Sequence, residues 1–270
     1  MPKGERFSQE QPFSGREVAT TPLKPGTTAI NVDGTERPAL NSNGKPIHWS
    51  EEGVRNFWRW FAGSKVVDAQ GRPLVVYHGT TADFSVFDFE NVANQAEDTG
   101  LGFFFADQKQ DAEYFTKDEE DLLGSRGDKT SLGANILKVY LAIRKPKTYS
   151  TQGKLFAALN DAPYSREGQG VALYEQLSAK KLDGVVVNDS RLDGEGSGRW
   201  FIAFEQEQIK SAVGNTGAFS PSDPDIRYNL AANWPTSALP QAKALRDTVA
   251  TAMRSDANTS WITPFNTQYH

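Results

Sequence analysis

Between Lys65 and Phe204, short apolar runs alternate with helical patterns at no fixed period, and this irregularity narrows the possible folds more than any other feature. A doubly wound parallel sheet needs strand and crossover helix in regular succession. Here strands follow one another or are separated by one short helix, so the pattern predicts an α+β fold of mainly antiparallel sheets with peripheral helices. The clearest strand covers 135–143, where Leu137, Val139, Leu141 and Ile143 alternate with Lys138 and Tyr140 and Pro146 follows as a stop. Ahead of it, Lys65-Val66-Val67 and Leu74-Val75-Val76-Tyr77-His78 flank the turn-forming Asp68-Ala69-Gln70-Gly71-Arg72-Pro73. That is a hairpin signal, and it delivers His78 at the end of the second strand. Gly102-Phe103-Phe104-Phe105-Ala106 reads as a glycine-bounded strand, with Asp107 placed to cap a short helix carrying Ala112 and Tyr114. A helix over 170–181, the strand Gly184-Val185-Val186-Val187, a glycine-rich loop and a strand over 200–204 complete this stretch.

The chain divides into three parts. Residues 1–48 are poor in aliphatic side chains and rich in Gly, Pro, Thr, Ser and Asn, so they predict a flexible or extended arm that the rest can fold without. Residues 49–228 form the folded unit. It opens on Ser50 as a helix N-cap, with Glu51 and Glu52 in the first turn and Val54, Phe57, Trp58 and Phe61 on one face. Residues 229–270 predict a linker at Asn233-Trp234-Pro235-Thr236-Ser237, a helix over 239–253, and an apolar ending that reads as the start of a further region.

Composition excludes several chemistries. With no cysteine and three histidines, His48, His78 and His270, thiolate chemistry is absent and a histidine-built metal site is not expected. A net charge of -5, from 29 basic and 34 acidic residues, argues against affinity by broad phosphate neutralisation. No window approaches the roughly 18 to 20 apolar residues of a membrane span, so no membrane partner is expected.

Two motifs carry chemistry. The first is Val75-Val76-Tyr77-His78-Gly79-Thr80; the second is Gly100-Leu101-Gly102-Phe103-Phe104-Phe105-Ala106-Asp107 with Ala112-Glu113-Tyr114 behind it. A lone strand histidine or an aromatic run is ordinarily core, and the glycines lack the spacing of a phosphate-binding loop. In this order, however, the motifs resemble the nicotinamide-pocket motifs of ADP-ribosyltransferases of the diphtheria-toxin and poly(ADP-ribose) polymerase type. The stretch closing on Gln208-Ile209-Lys210-Ser211-Ala212 and Asp223-Pro224-Asp225-Ile226-Arg227 is similar to the ADP-ribosyltransferase domains of large phage and mobile-element proteins.

The resemblance implies a split β-sandwich, NAD as substrate, and transfer of one ADP-ribose to a macromolecular acceptor, protein or nucleic acid, in the cytoplasm of a host cell or from a virion. Breaking the nicotinamide–ribose bond develops oxocarbenium character on the sugar, so the leaving ring and the ribose hydroxyls must both be fixed. By the resemblance, His78 bonds a ribose, the Gly79 backbone grips the carboxamide with Thr80 beside it, and Tyr114 stacks on nicotinamide. Phe104 stands where relatives carry a first tyrosine. Relatives place a glutamate at the start of the last strand, where this chain has Trp200. Nearby Glu195, Glu205, Glu207 and Gln208 are the candidates to replace it, with Gln208 the catalytic choice beside His78 and Tyr114 and a strand-end bond as its alternative role. An inactive NAD-binding module and a NAD glycohydrolase are the competing functions.

Overall fold

The computed structural model describes residues 21–80, 84–88, 99–114, 135–163, 168–190 and 198–226, the Tyr114 side chain excepted. The calls on residues 1–20, Glu195, Arg227 and 229–270 fall outside the described residues.

The core is a seven-stranded sheet. In chain order its strands are β3 (Val76–Thr80), β4 (Phe103–Ala106), β5 (Asn135–Leu141), β6 (Pro146–Tyr149), β7 (Gly184–Val187), β8 (Trp200–Ala203) and β9 (Ile209–Ser211), after the hairpin strands β1 (Ala29–Val32) and β2 (Thr35–Pro38). The spatial order is β6-β7-β8-β4-β3-β5-β9. Every neighbouring pair is antiparallel except β6 with β7, so the expected mainly antiparallel α+β class holds. The seven strands form one ladder, which is thin at its middle. β3 meets β4 at a single registered pair, Tyr77 with Ala106, whereas it registers with β5 along its whole length.

Both sheet faces are covered, which explains why β5 is less amphipathic in the structure than its alternation suggests. Val139 and Leu141 enter one cluster with Phe103, Phe105 and Phe201, while Tyr140 turns to the other side and packs under helix α1 (Glu51–Phe61). The Phe57 and Tyr140 rings lie 4.8 Å apart at a steep angle. Helix α1 forms as expected: Ser50 Oγ accepts from the Gly53 N–H at 3.1 Å. Its far end is capped by Arg144, which donates to the carbonyls of Trp60 and Ala62. At the other end of the sheet, α3 (Gln152–Asn160) and α4 (Gln169–Ala179) bury Leu155, Leu159, Leu173 and Leu177 against Val185, Val187 and Ile202.

Two expectations are corrected. Residues 29–48 are not a free arm. Asp33 and Gly34, both at positive φ, turn β1 into β2, and Ile30, Val32, Ala39 and Ile47 are buried with Phe57 and Trp58 of α1. Polar bonds anchor the same segment: Trp58 Nε1 donates to the Pro38 carbonyl at 2.7 Å, and Asn41 Nδ2 donates to the buried Tyr140 hydroxyl at 2.9 Å. Asp107 does not cap the short helix α2 (Lys109–Tyr114), because its carboxylate accepts from the backbone and guanidinium of Arg199, each at 2.9 Å.

Candidate active site

The site begins where β3 and β4 separate. Past Tyr77 the backbone ladder between them stops, and the His78 side chain spans the gap, its Nδ1–H donating to the Phe104 carbonyl at 2.8 Å. A carbonyl only accepts, so Nδ1 holds the proton and Nε2 of the neutral ring is left as an acceptor. The ring packs against Phe87 at 5.0 Å, Phe105 at 5.4 Å and Phe84 at 6.3 Å between centroids. Burial among these rings lowers the His78 pKa, and the Phe104 carbonyl pulls it the other way. At neutral pH the imidazole is therefore uncharged. Gly79 and Thr80 follow it along β3, registered with Ile136 and Asn135 of β5 but with no residue of β4.

On the opposite face of the sheet, Phe104 and Trp200 meet. Ala106 is registered with Trp200 and Phe104 with Ile202, which sets the two rings diagonally across β4 and β8 at 6.3 Å, edge to face. Trp200 is only 8% exposed. The Asp107–Arg199 pair, extended by the Asp107 N–H donating to the Arg199 carbonyl at 3.1 Å, holds the strand ends in register. Gly102 is required by close approach: a Cβ there would sit 2.5 Å from the Ala203 carbonyl oxygen, so β4 could not lie on β8 with any side chain at that position. The glycine pair of this motif is thus a packing feature.

The remaining candidates separate. Gln208 is buried, and its amide is fully engaged with backbone: Oε1 accepts from Phe204 and Glu205, and Nε2 donates to the carbonyls of Ala142 and Asp183. It holds the corner between β8 and β9, the alternative role open to it from the sequence. Glu205 accepts from the Tyr174 hydroxyl at 3.1 Å, and the Glu207 backbone carbonyl accepts from Trp60 Nε1. Tyr114 ends α2, with its side chain outside the described residues.

Some neighbours of the site were not read from the sequence. Asp111, on α2, accepts from the buried Ser190 hydroxyl at 3.3 Å, and its carboxyl pKa is raised by burial and by nearby Asp107. Phe84 and Phe87, which wall His78, had only their spacing behind the first motif as a signal. Among the described residues no group of three histidines and carboxylates could hold a metal, and no helix is long and apolar enough to cross a membrane. A surface concavity lies at the N-terminal hairpin, lined by residues that include Leu23, Leu40 and Trp49, and contains none of the site residues.

No curated protein and no solved structure matches this chain. Residues 68–219, more than half of its length, match the family model described as ADP-ribosyltransferase in polyvalent proteins, a span that contains His78, the glycine-bounded aromatic strand and Trp200. The chain belongs to that family of ADP-ribosyltransferases.

Proposed function

We propose that this protein cleaves NAD and transfers a single ADP-ribose to a macromolecular acceptor, in the cytoplasm of a cell that a phage or mobile element has entered. The observation that carries the reading is the state of His78: its Nδ1–H is fixed on the Phe104 carbonyl, burial keeps it uncharged, and Nε2 remains to accept from a ribose hydroxyl. Beside it, on the β4-side edge of β3, Gly79 is registered with no residue of β4, so its backbone can take the amide of nicotinamide as a strand would. Thr80 flanks that edge. Tyr114 supplies the ring that stacks on nicotinamide.

In this scheme the C–N bond between nicotinamide and ribose breaks, the bonding pair leaves with nicotinamide, and the acceptor nucleophile attacks the sugar carbon and loses its proton. No carboxylate stands at the Trp200 position to stabilise the positive sugar, so turnover is slow. The folded unit in this proposal includes Thr21, whose carbonyl accepts from the Glu51 N–H at 3.0 Å, and the closing Ile226.

The same Trp200 favours a second reading, a module that binds NAD without cleaving it. Incubation with NAD labelled in the adenylate portion and a cell extract separates the readings. Nicotinamide release together with label in macromolecules is the expected result; nicotinamide release with no incorporation indicates a glycohydrolase. Saturable NAD binding with neither product establishes the non-catalytic module.

A further inference from the structure

Two closing motifs, Gln208-Ile209-Lys210-Ser211-Ala212 and Asp223-Pro224-Asp225-Ile226, take no part in the proposed site, yet they converge behind His78. Lys210 is completely buried in β9, and its ammonium donates to the carbonyls of Asp223 and, at 3.4 Å, Asp225. Removing an ammonium from water is unfavourable, and burial lowers its pKa against the raising influence of Asp223, Glu207 and Asp225. A methionine would fill similar space without that penalty. What the amine adds is its hold on two carbonyls.

That hold places residues 223–226 as a strap along the sheet edge. The Ser211 N–H donates to the Ile226 carbonyl at 2.8 Å, and the Asn215 side-chain amide donates to the same carbonyl at 3.2 Å. On its outer side the strap forms an antiparallel bridge between Asp225 and Val86, with the Ile226 N–H donating to the Ser85 carbonyl at 2.8 Å. Phe84 and Phe87, the two rings that close on His78, flank this bridge. Ile226 and Phe87, each 2% exposed, share one apolar cluster.

We propose that Lys210 is a positioning residue for His78, acting through the strap at 223–226 and the aromatic pair Phe84 and Phe87. Its bearing on catalysis rests on the reading of His78 as a NAD-binding residue. Without the ammonium the strap loosens, the segment at 85–87 loses its backbone partner, and the wall that buries the imidazole opens.

With three histidines in the chain, each ring can be followed by 15N NMR of the full-length protein, alongside KM and kcat for NAD. In Lys210→Met the His78 titration is expected to move up toward the ordinary histidine value of about 6.5 while that of His48 stays in place. KM for NAD is expected to rise on the order of tenfold to a hundredfold, as for a displaced binding group, with a smaller change in kcat. A folded Lys210→Met protein whose His78 titration and KM match the wild type overturns the proposal. If that variant does not fold, Ile226→Ala keeps the ammonium but releases the strap from Phe87, and the same two outcomes apply to it. Should His78→Ala leave NAD binding unchanged, the reading of the site fails instead, and the histidine titrations still decide the strap.

Discussion

The amide of Gln208 meets four backbone groups and is buried while doing so, which separates a structural from a catalytic task at that residue. Gln208→Ala orphans two N–H groups and two carbonyls, and at about 1–3 kcal/mol for a buried unsatisfied group, partly relieved by water, the variant should lose about 3 kcal/mol of stability. KM for NAD in the folded fraction should not move; a Gln208→Ala protein of native stability that cannot bind NAD would return the residue to the pocket. Trp200 presents the opposite case: under the proposed function, its large ring stands at the position where the resemblance places a carboxylate. A glutamate there offers the developing positive sugar about 3 to 4 kcal/mol, so Trp200→Glu should speed nicotinamide release by on the order of a hundredfold or more. Losing the indole costs about 3–5 kcal/mol of stability in the same variant, and thermal unfolding should show it. If Trp200→Glu is no faster while Asp111→Asn or Glu195→Gln abolishes release, the carboxylate reaches the sugar from Asp111 on α2 or from Glu195.

At the scale of elements, the hairpin of β1 and β2 and helix α1 behave as one packed body. Trp58 is 4% exposed and Phe57 is fully buried, and much of what covers them comes from residues 29–48. A chain truncated to start at residue 49 should therefore unfold about 10 °C or more below the full chain, given that each kilocalorie shifts such a domain by several degrees. Equal melting temperatures would mean that α1 holds its place without the hairpin. The hairpin was legible, since Asp33-Gly34 stands between Ile30, Val32 and the following strand, a strong two-residue turn signal. Reading the segment by its polar composition hid it. Helix α1, β4, β5, α4, β7 and β8 were readable because each has a periodic or continuous apolar pattern bounded by turn residues. The missed elements lacked one: β6 starts on Pro146, tolerated at the first position of an edge strand, and in α3 the 37% exposed Phe156 blurs the stripe of Leu155 and Leu159. In β9 the buried Lys210 reads as a surface residue, because only its tertiary carbonyl partners make burial tolerable.

On the scale of the whole molecule, His48 ties together the N-terminal hairpin, α1 and the closing segment, and it makes their union sensitive to acid. Its ring fits between two glycines: a Cβ on Gly53 would lie 1.9 Å from Nδ1, and one on Gly217 would lie 2.7 Å from Cε1. Nδ1 accepts from the Ser50 N–H at 3.1 Å, so the proton of the neutral ring is on Nε2, which is buried without a partner among the described residues. Burial lowers its pKa from 6.5 to about 4, outweighing the opposing influence of the Ser50 and Asn215 backbone. Because the folded value lies below the unfolded one, the unfolded chain binds the extra proton between the two. The stability is then complete above pH 6.5 and is lost as the pH falls toward 4, a change of about 3 kcal/mol for a shift of this size. His78, also lowered by burial, adds to the same slope. Urea unfolding at pH 4.5 and pH 7 should therefore show a marked loss for the wild type and a smaller one for His48→Gln, which cannot titrate. Equal losses in the two proteins would place the acid sensitivity in His78 or the carboxylates, and His48 would hold the three segments together by packing alone.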